Sequence, residues 1–462
     1  MILLKIIAIL VGKLAIVFSR IAGNQGTDFP GQLARKVYPH ILSDLAHNIN
    51  REIIIITGTN GKTTTSNMIA EIIKESGGSY VHNQAGANML NGITTAFIRS
   101  SNLIGSRQFD YALLETDEAN VPLLLKEVQV KVLLITNFFR DQLDRYGELD
   151  YTINLIKNSV RDYNLELVLN ADDPLLSNFQ QQTNLKSWYY GFTDTMYDEF
   201  ASSDSREGRY CVVCGHELSY QRYHYAQLGK YHCPNCNNHN PDRDYCADDL
   251  QMTPGISLKI NELAINSSYQ GFYNAYNILA AVSMAKHLGI DDDVIQRAIL
   301  KYQPRAGRME KFIINGKPYL LVLVKNPTGL NQSLNMLGQD PASKALFIAL
   351  NDNAADGRDI SWIWDADVEV IAQAESGIEA VICSGQRSGD MALRIKYAGF
   401  DTDRIFIQSR LQDGIAKAAK TDSEVAYILC TYTALFACRK ILLKMQQQSA
   451  DVTAEKQRSR NY

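Results

Sequence analysis

Gly58-Thr59-Asn60-Gly61-Lys62-Thr63 is the stretch whose residue types and spacing speak most directly of chemistry. Its glycines let the backbone wrap closely enough for N–H groups to face phosphate oxygens. Lys62 supplies a mobile positive charge for β- and γ-phosphates, and Thr63 a hydroxyl suited to Mg²⁺. The general phosphate-loop pattern puts another glycine five positions before Gly61; Ile56 stands there, so only the second half of the pattern is matched. A second cluster, Cys211-Val-Val-Cys214 and Cys233-Pro-Asn-Cys236, sets two pairs with 18 residues between them. That spacing fits four thiolates around one tetrahedral Zn²⁺. Four protein ligands leave no open position, so such a zinc is structural and holds together a module too small for its own core. His216, His224, His232 and His239 crowd the same segment as substitute ligands. A third segment, Asn351-Asp352-Asn-Ala-Ala-Asp356-Gly-Arg-Asp359-Ile-Ser-Trp-Ile-Trp-Asp365, follows an apolar run. Four carboxylates and two tryptophans there suggest a binding surface; a Ca²⁺ loop lacks its spacing and terminal Glu. A solvated loop with core tryptophans is the plain alternative.

These residues need rigid elements beneath them. Arg51–Thr57 is a β-branched run leading into the glycine loop, and Met68, Ile69, Ile72 and Ile73 recur at helical spacing behind it: strand, loop, helix. Further strands are expected at Tyr111–Glu115, Lys131–Asn137 and Leu165–Asn170, with helices between them, which implies a mainly parallel sheet. Residues 202–249 break this rhythm with a polar, Cys- and Tyr-rich insertion, and helices resume at Asn274–Leu288 and Asp292–Leu300. After a linker at Tyr302–Arg308, strands at Tyr319–Val324, Ala345–Leu350, Ala380–Cys383, Arg404–Ile407 and Val425–Leu429 alternate with helices. The chain thus reads as α/β: an apolar lead-in at 1–50, a nucleotide-binding domain at 51–305 carrying the insertion, a Rossmann-like second domain at 306–446, and a polar tail at 447–462.

With 462 residues, 46% hydrophobic and 21% charged, the chain is long enough for such domains, and disorder is excluded as its main character. A net charge of −4 argues against a nucleic-acid partner, as do Asp242, Asp244, Asp248 and Asp249 beside the cysteines. Met1–Gly23 is strongly apolar but broken by Lys5, Lys13 and Arg20. Its longest uncharged run is far short of the ~20 residues that cross a bilayer. Lys13 also interrupts the core a signal peptide would need. The expectation is an amphipathic helix in a cytoplasmic protein, either docked on the fold or lying on the inner face of the membrane.

Thr57-Gly-Thr-Asn-Gly-Lys-Thr-Thr64 resembles the ATP loop of the Mur ligases and folylpolyglutamate synthetases. Glu115, Asp141-Gln-Leu-Asp-Arg-Tyr146, Asn170-Ala-Asp-Asp-Pro174, Asn274-Ala-Tyr-Asn277 and Gly307-Arg-Met-Glu310 follow in the family's order. The resemblance implies a ligase that phosphorylates a carboxylate with ATP and lets an amine attack the acyl phosphate. Gly58, Thr59, Asn60, Gly61, Lys62, Thr63 and Thr64 would then hold ATP. Thr63 and Glu115 would hold Mg²⁺, Asn277 would meet the adenine, and Arg308 the γ-phosphate; Lys325 would meet phosphate or the substrate carboxylate. Lys62, Glu115 and Arg308 would stabilise the transferring phosphoryl group. The chain departs from many Mur ligases at Gln142, where they carry His. Many also carry a carbamylated Lys near the register of Lys157, for which a solvated helix lysine is the default reading.

The zinc insert together with Asp-Gly-Arg-Asp359-Ile-Ser-Trp-Ile-Trp-Asp is similar to the MurT family, the synthase subunits of lipid II isoglutaminyl synthases. Lys325-Asn-Pro327 and Thr431-Tyr-Thr433 extend the likeness. It implies amidation of the D-glutamate α-carboxylate of the lipid II stem peptide, with ammonia from a GatD-like class I glutaminase. The residues agree that a separate glutaminase is needed. Such an enzyme requires a nucleophilic Cys with a His base; Val381 spoils a Gly-x-Cys-x-Gly elbow at Cys383, and no histidine follows His287. The resemblance implies that one Asp of the 352–365 loop completes the partner's Cys–His pair, with Asp359 first and Asp356 second. The alternatives are an amino-acid-adding ligase of the Mur or folylpolyglutamate type, and a non-catalytic nucleotide-binding zinc-ribbon adaptor.

Overall fold

The computed structural model describes residues 2–21, 26–83, 87–139, 149–200, 208–303, 308–353, 355–373 and 377–460. The described residues fold as two compact units, one within 2–303 and one within 308–460.

Unit 1 is built on a nine-stranded sheet. Its first six strands in the chain are β1 (Ile49–Thr57), β2 (Tyr80–His82), β3 (Phe109–Glu115), β4 (Val132–Ile135), β5 (Glu166–Asn170) and β6 (Ser187–Phe192). Side chains alternate across a strand, so a β-branched run buried on both faces needs helices on both. Ile54 and Ile56 of β1 face one core with Met68, Ile69, Ile72 and Ile73. Ile53 and Ile55 face the other, with Ile9, Ile41 and Phe97. The helices supplying those faces include α1 (Ile2–Ile21), α2 (Phe29–Val37), α3 (Ile41–Ala46), α4 (Lys62–Glu75) and α5 (Leu90–Ser100). The helix Phe272–His287, buried on nearly every side, packs on α4.

The order is β11-β10-β9-β6-β5-β4-β1-β3-β2, with β9 (Tyr245–Gln251), β10 (Ile256–Ile260) and β11 (Leu263–Ser267) at one edge. β6 and β9 pair in parallel. Tyr245–Gln251 therefore belongs to the sheet, and the insert is narrower than its polar composition suggested. What lies between is the hairpin β7 (Ser219–Tyr225) and β8 (Leu228–His232) with the four cysteines.

Unit 2 has a six-stranded sheet ordered β12-β13-β17-β14-β15-β16: Arg308–Ile314, Lys317–Leu323, Val425–Cys430, Lys344–Ala349, Ile378–Ser384 and Ile405–Ile407. β12 and β13 form an antiparallel hairpin and the rest pair in parallel. Leu346 and Ile348 of β14 face one core, Phe347 and Ala349 the other. Both units are thus three-layered, as alternation of strands and helices predicts.

The N-terminal segment forms a longer helix than its interrupted apolar run suggested. α1 has 20 residues and is long and apolar enough to cross a membrane. It is also docked: Ala8, Ile9, Gly12, Ala15 and Ile16 are buried, the helix packs on α2 and α5, and Lys13 Nζ donates to the Ser101 carbonyl at 2.7 Å.

Candidate active site and metal centre

The glycine loop leaves the carboxyl end of β1 and enters α4, where open α/β sheets place their ligands. Gly58 and Gly61 have φ of 117° and 87°, backbone that favours glycine. A side chain at Gly61 would also run into the Asn277 side-chain oxygen. The loop is pinned from one side by the segment after β4. Thr59 N donates to the Asn137 carbonyl (2.9 Å), Asn60 N to Asn137 Oδ1 (3.0 Å), and Thr59 Oγ1 to the Phe139 carbonyl (3.0 Å).

Two of the expected magnesium ligands meet here. Thr63 Oγ1 donates to Glu115 Oε1 at 2.9 Å, with Glu115 buried at the end of β3. A hydroxyl beside a buried carboxylate fits a hard cation that prefers oxygen donors. Lys62 is buried and its Nζ contacts the Gly58 carbonyl and Glu118 Oε1, the latter at 2.9 Å. Glu118 escaped the sequence reading. Its one signal there is the acidic run Glu115-Thr-Asp-Glu118 directly after a buried strand. The Glu118 carboxylate offsets the cost of burying the Lys62 ammonium. Asn277 lies against the loop at Gly61, its Nδ2 donating to Asn274 Oδ1 at 3.2 Å.

Lys157 requires a correction. It is buried rather than solvated, with Nζ donating to Asn178 Oδ1 at 2.6 Å and lying 4.8 Å from the Phe179 ring centroid. Burial pulls its pKa down to about 8. Below that pH both states carry the charge but the folded state holds it desolvated; that penalty fades as pH rises from about 8 to about 10. Lys157→Met should therefore raise the thermal midpoint below pH 8 by the equivalent of about 1 kcal/mol. The gain should disappear near pH 10, and a pH-independent effect would contradict it.

The four cysteines converge: their Sγ atoms all lie within 4.8 Å of one another, with Cys211–Cys236 at 3.6 Å and Cys214–Cys233 at 3.5 Å. These are separations of thiolates sharing one tetrahedral ion, and far longer than a disulfide. Each pair sits on a matching turn. Cys211 N donates to the His216 carbonyl and Cys233 N to the Asn238 carbonyl, with Gly215 and Asn237 at positive φ. His224 is no substitute ligand; its Nδ1 pairs with Asp198 Oδ1 at 2.7 Å. Among the described residues these cysteines are the only group of three or more His, Cys, Asp and Glu side chains placed to hold a metal. Among the described residues the carboxylates of the 352–365 loop form no such group.

The cysteine module also braces the phosphate loop. At the tip of its hairpin, fully buried Gln227 donates to the Phe138 carbonyl (2.5 Å) and to Asp173 Oδ1 (3.2 Å), and Asp173 accepts from Phe138 N (2.8 Å). Phe139, the next residue, holds Thr59. Burial lifts the Asp173 carboxyl to about 6 against these hydrogen bonds. Gln227→Leu would strand the buried Phe138 carbonyl, a penalty of about 1–3 kcal/mol. The expected result is a several-fold to roughly tenfold rise in KM for ATP with bound zinc unchanged; unchanged KM would show that the hairpin does not brace the loop.

In unit 2, Asp356 is buried and both its oxygens are taken by Thr433, from N (2.7 Å) and Oγ1 (2.5 Å). Asp352 pairs with Arg387 at 2.6 Å. Asp359 is half-exposed, and its Oδ1 accepts from Ser361 N at 2.8 Å. Trp362 is core, whereas Trp364 is exposed and carries Arg394 over its ring at 5.4 Å. Lys325, half-buried, follows β13, and Arg308 opens β12. The side chain of Arg308, the segment Asp141–Tyr146 with Gln142, and Gly307 lie outside the described residues.

Comparison with known proteins decides the family. Residues 56–285 match the Mur ligase middle domain and residues 323–435 the MurT ligase C-terminal domain. The chain is 41% identical over 391 residues to the lipid II isoglutaminyl synthase (glutamine-hydrolyzing) subunit MurT of Staphylococcus aureus (strain COL), covering 85% of this chain and 87% of that one. This chain belongs to the MurT family. The MurT subunit of Streptococcus pneumoniae is 36% identical over 92% of this chain and 94% of its own. Solved structures of a pseudomurein peptide ligase type C from Methanothermus fervidus (TM-score 0.67, 24% identity, 87% of this chain and 80% of that one) and of MurF from Acinetobacter baumannii (0.62, 13%, 90% and 80%) share the fold. The MurT assignment accounts for the pairing of a Mur-type ATP loop with a second α/β unit.

Proposed function

We propose that this MurT-family chain catalyses ATP-dependent amidation of the D-glutamate α-carboxylate of the lipid II stem peptide to D-isoglutamine. The γ-phosphoryl group of ATP passes to a carboxylate oxygen and ADP leaves. Ammonia then attacks the acyl carbon, the C–O bond to phosphate breaks, and the nitrogen loses one proton to leave the amide and inorganic phosphate. The observation that carries the reading is the grouping of Lys62, Thr63 and Glu115 at the mouth of a glycine loop. Lys62 places positive charge where the transferring group gathers negative charge. Thr63 and Glu115 would hold Mg²⁺, which neutralises polyphosphate charge when bound. By the family resemblance Arg308 would meet the γ-phosphate, Lys325 phosphate or the substrate carboxylate, and Asn277 the adenine. Cys211, Cys214, Cys233 and Cys236 would hold a structural Zn²⁺.

The ammonia source is a GatD-like class I glutaminase. Free ammonia is mostly protonated at neutral pH, so delivery from a docked subunit through a shielded path keeps it nucleophilic. Asp359 serves that partner's Cys–His pair; Asp356, tied to Thr433, supports the loop instead. The protein works in the cytoplasm on a lipid-linked substrate at the inner face of the membrane. The test is to supply the purified chain with glutaminase, ATP, Mg²⁺, glutamine and lipid II. Phosphate release coupled to a gain of one amide nitrogen is expected. No phosphate and no amide would overturn the proposal, and incorporation of an amino acid in place of ammonia would point to an amino-acid-adding ligase.

A further inference from the structure

α1 is apolar on two sides, and the fold uses only one of them. Its inner side packs on α2 and α5. Leu3, Ile7, Leu10, Leu14, Val17 and Ile21, spaced alternately four and three apart, form an exposed outer stripe with Phe18 beside it. The loop after α5 lies against the opposite, docked side of α1, where a side chain at Gly105 would strike Lys5 and Ile9. Contiguous exposed apolar surface of this extent marks an interaction site.

The charges around the stripe select its partner. α1 carries Lys5, Lys13 and Arg20 and no acidic residue. Arg107 lies near Lys13 and Arg99 near Arg20, close enough for each pair to repel. An apolar helix face flanked along one edge by Lys13 and Arg20 is what binds in the interface of an anionic bilayer, its apolar side sunk about 5–10 Å. A second copy of this chain offers α1 no acidic partner, because the helix carries cations alone.

We infer that the outer face of α1 seats this chain on an anionic lipid surface. The inference deepens the proposed reaction, whose substrate is lipid-linked, and rests on that reading for its purpose, while its test needs no amidation. The full-length chain is sedimented with vesicles of phosphatidylcholine alone or mixed with phosphatidylglycerol. It should pellet with the phosphatidylglycerol vesicles and be released by raised salt. Leu14→Ser/Phe18→Ser and, separately, Leu10→Ser/Val17→Ser should each weaken binding at least about tenfold. Both should keep the wild-type melting temperature and ATP binding, because the altered side chains are exposed. A wild-type chain that stays in solution with every vesicle overturns the inference. So does a concentration-dependent dimer abolished by Leu14→Ser/Phe18→Ser without vesicle binding, which would assign the face to a second copy. Vesicle binding by a preparation that forms no amide supports the surface and counts against the reaction alone.

Discussion

Lys62→Met should abolish amidation whether nitrogen comes from glutamine or from ammonium salt, with a fall in kcat of about a thousandfold or more. The residue is buried at the loop, where its Nζ contacts a loop carbonyl and Glu118. Methionine keeps the aliphatic volume and removes the charge, so the loss reads the charge rather than the packing. The substitution also leaves Glu118 buried without its cation, which is costly in a dry site, so the melting temperature must be followed in parallel. Lys62→Met/Glu118→Gln removes both charges and should restore stability without restoring activity. Retention of ammonia-driven activity in either variant would remove Lys62 from phosphoryl transfer. Glutaminase binding, assigned to the second unit, should be unchanged in both.

Asp359→Asn should separate the two half-reactions. If the Asp359 carboxylate orients the partner's imidazole, an amide there favours the wrong tautomer, a change that costs about 10⁴-fold in a catalytic triad. Glutamine-driven amidation should fall by a comparable factor while ammonia-driven amidation persists. Asp356→Asn should behave differently. Its carboxylate bonds Thr433 at the start of the last helix, so the variant should lose thermal stability first and both activities together. Equal loss of both nitrogen sources in Asp359→Asn would remove the residue from the partner's site.

The glycine loop and the cysteine module were legible because their chemistry is local: a few adjacent residues carry the whole signal. Thr63 was legible from the loop motif and Glu115 from the family resemblance, and the parallel pairing of β1 with β3 brings the two to one edge of the sheet. Glu118 was not, because its meeting with Lys62 depends on how a short turn folds back. Lys157 was legible in part. It stands four residues after Ile153 and three before Val160, both buried, and that helical spacing marks the inward face. For α1, periodicity is silent on which side docks, because both sides are apolar. Asp356 and Asp359 are chemically alike in the sequence, and only the tertiary bond to Thr433 tells them apart.

The brace from cysteines to phosphate loop places the vulnerability of this ATPase outside its nucleotide pocket. Cys214 is exposed, and a thiol-directed electrophile reaching it would loosen the hairpin, slacken Phe138 and lower affinity for ATP. Inhibitors found by such a route would not resemble adenosine, and high cellular ATP would blunt them less than it blunts a nucleotide mimic.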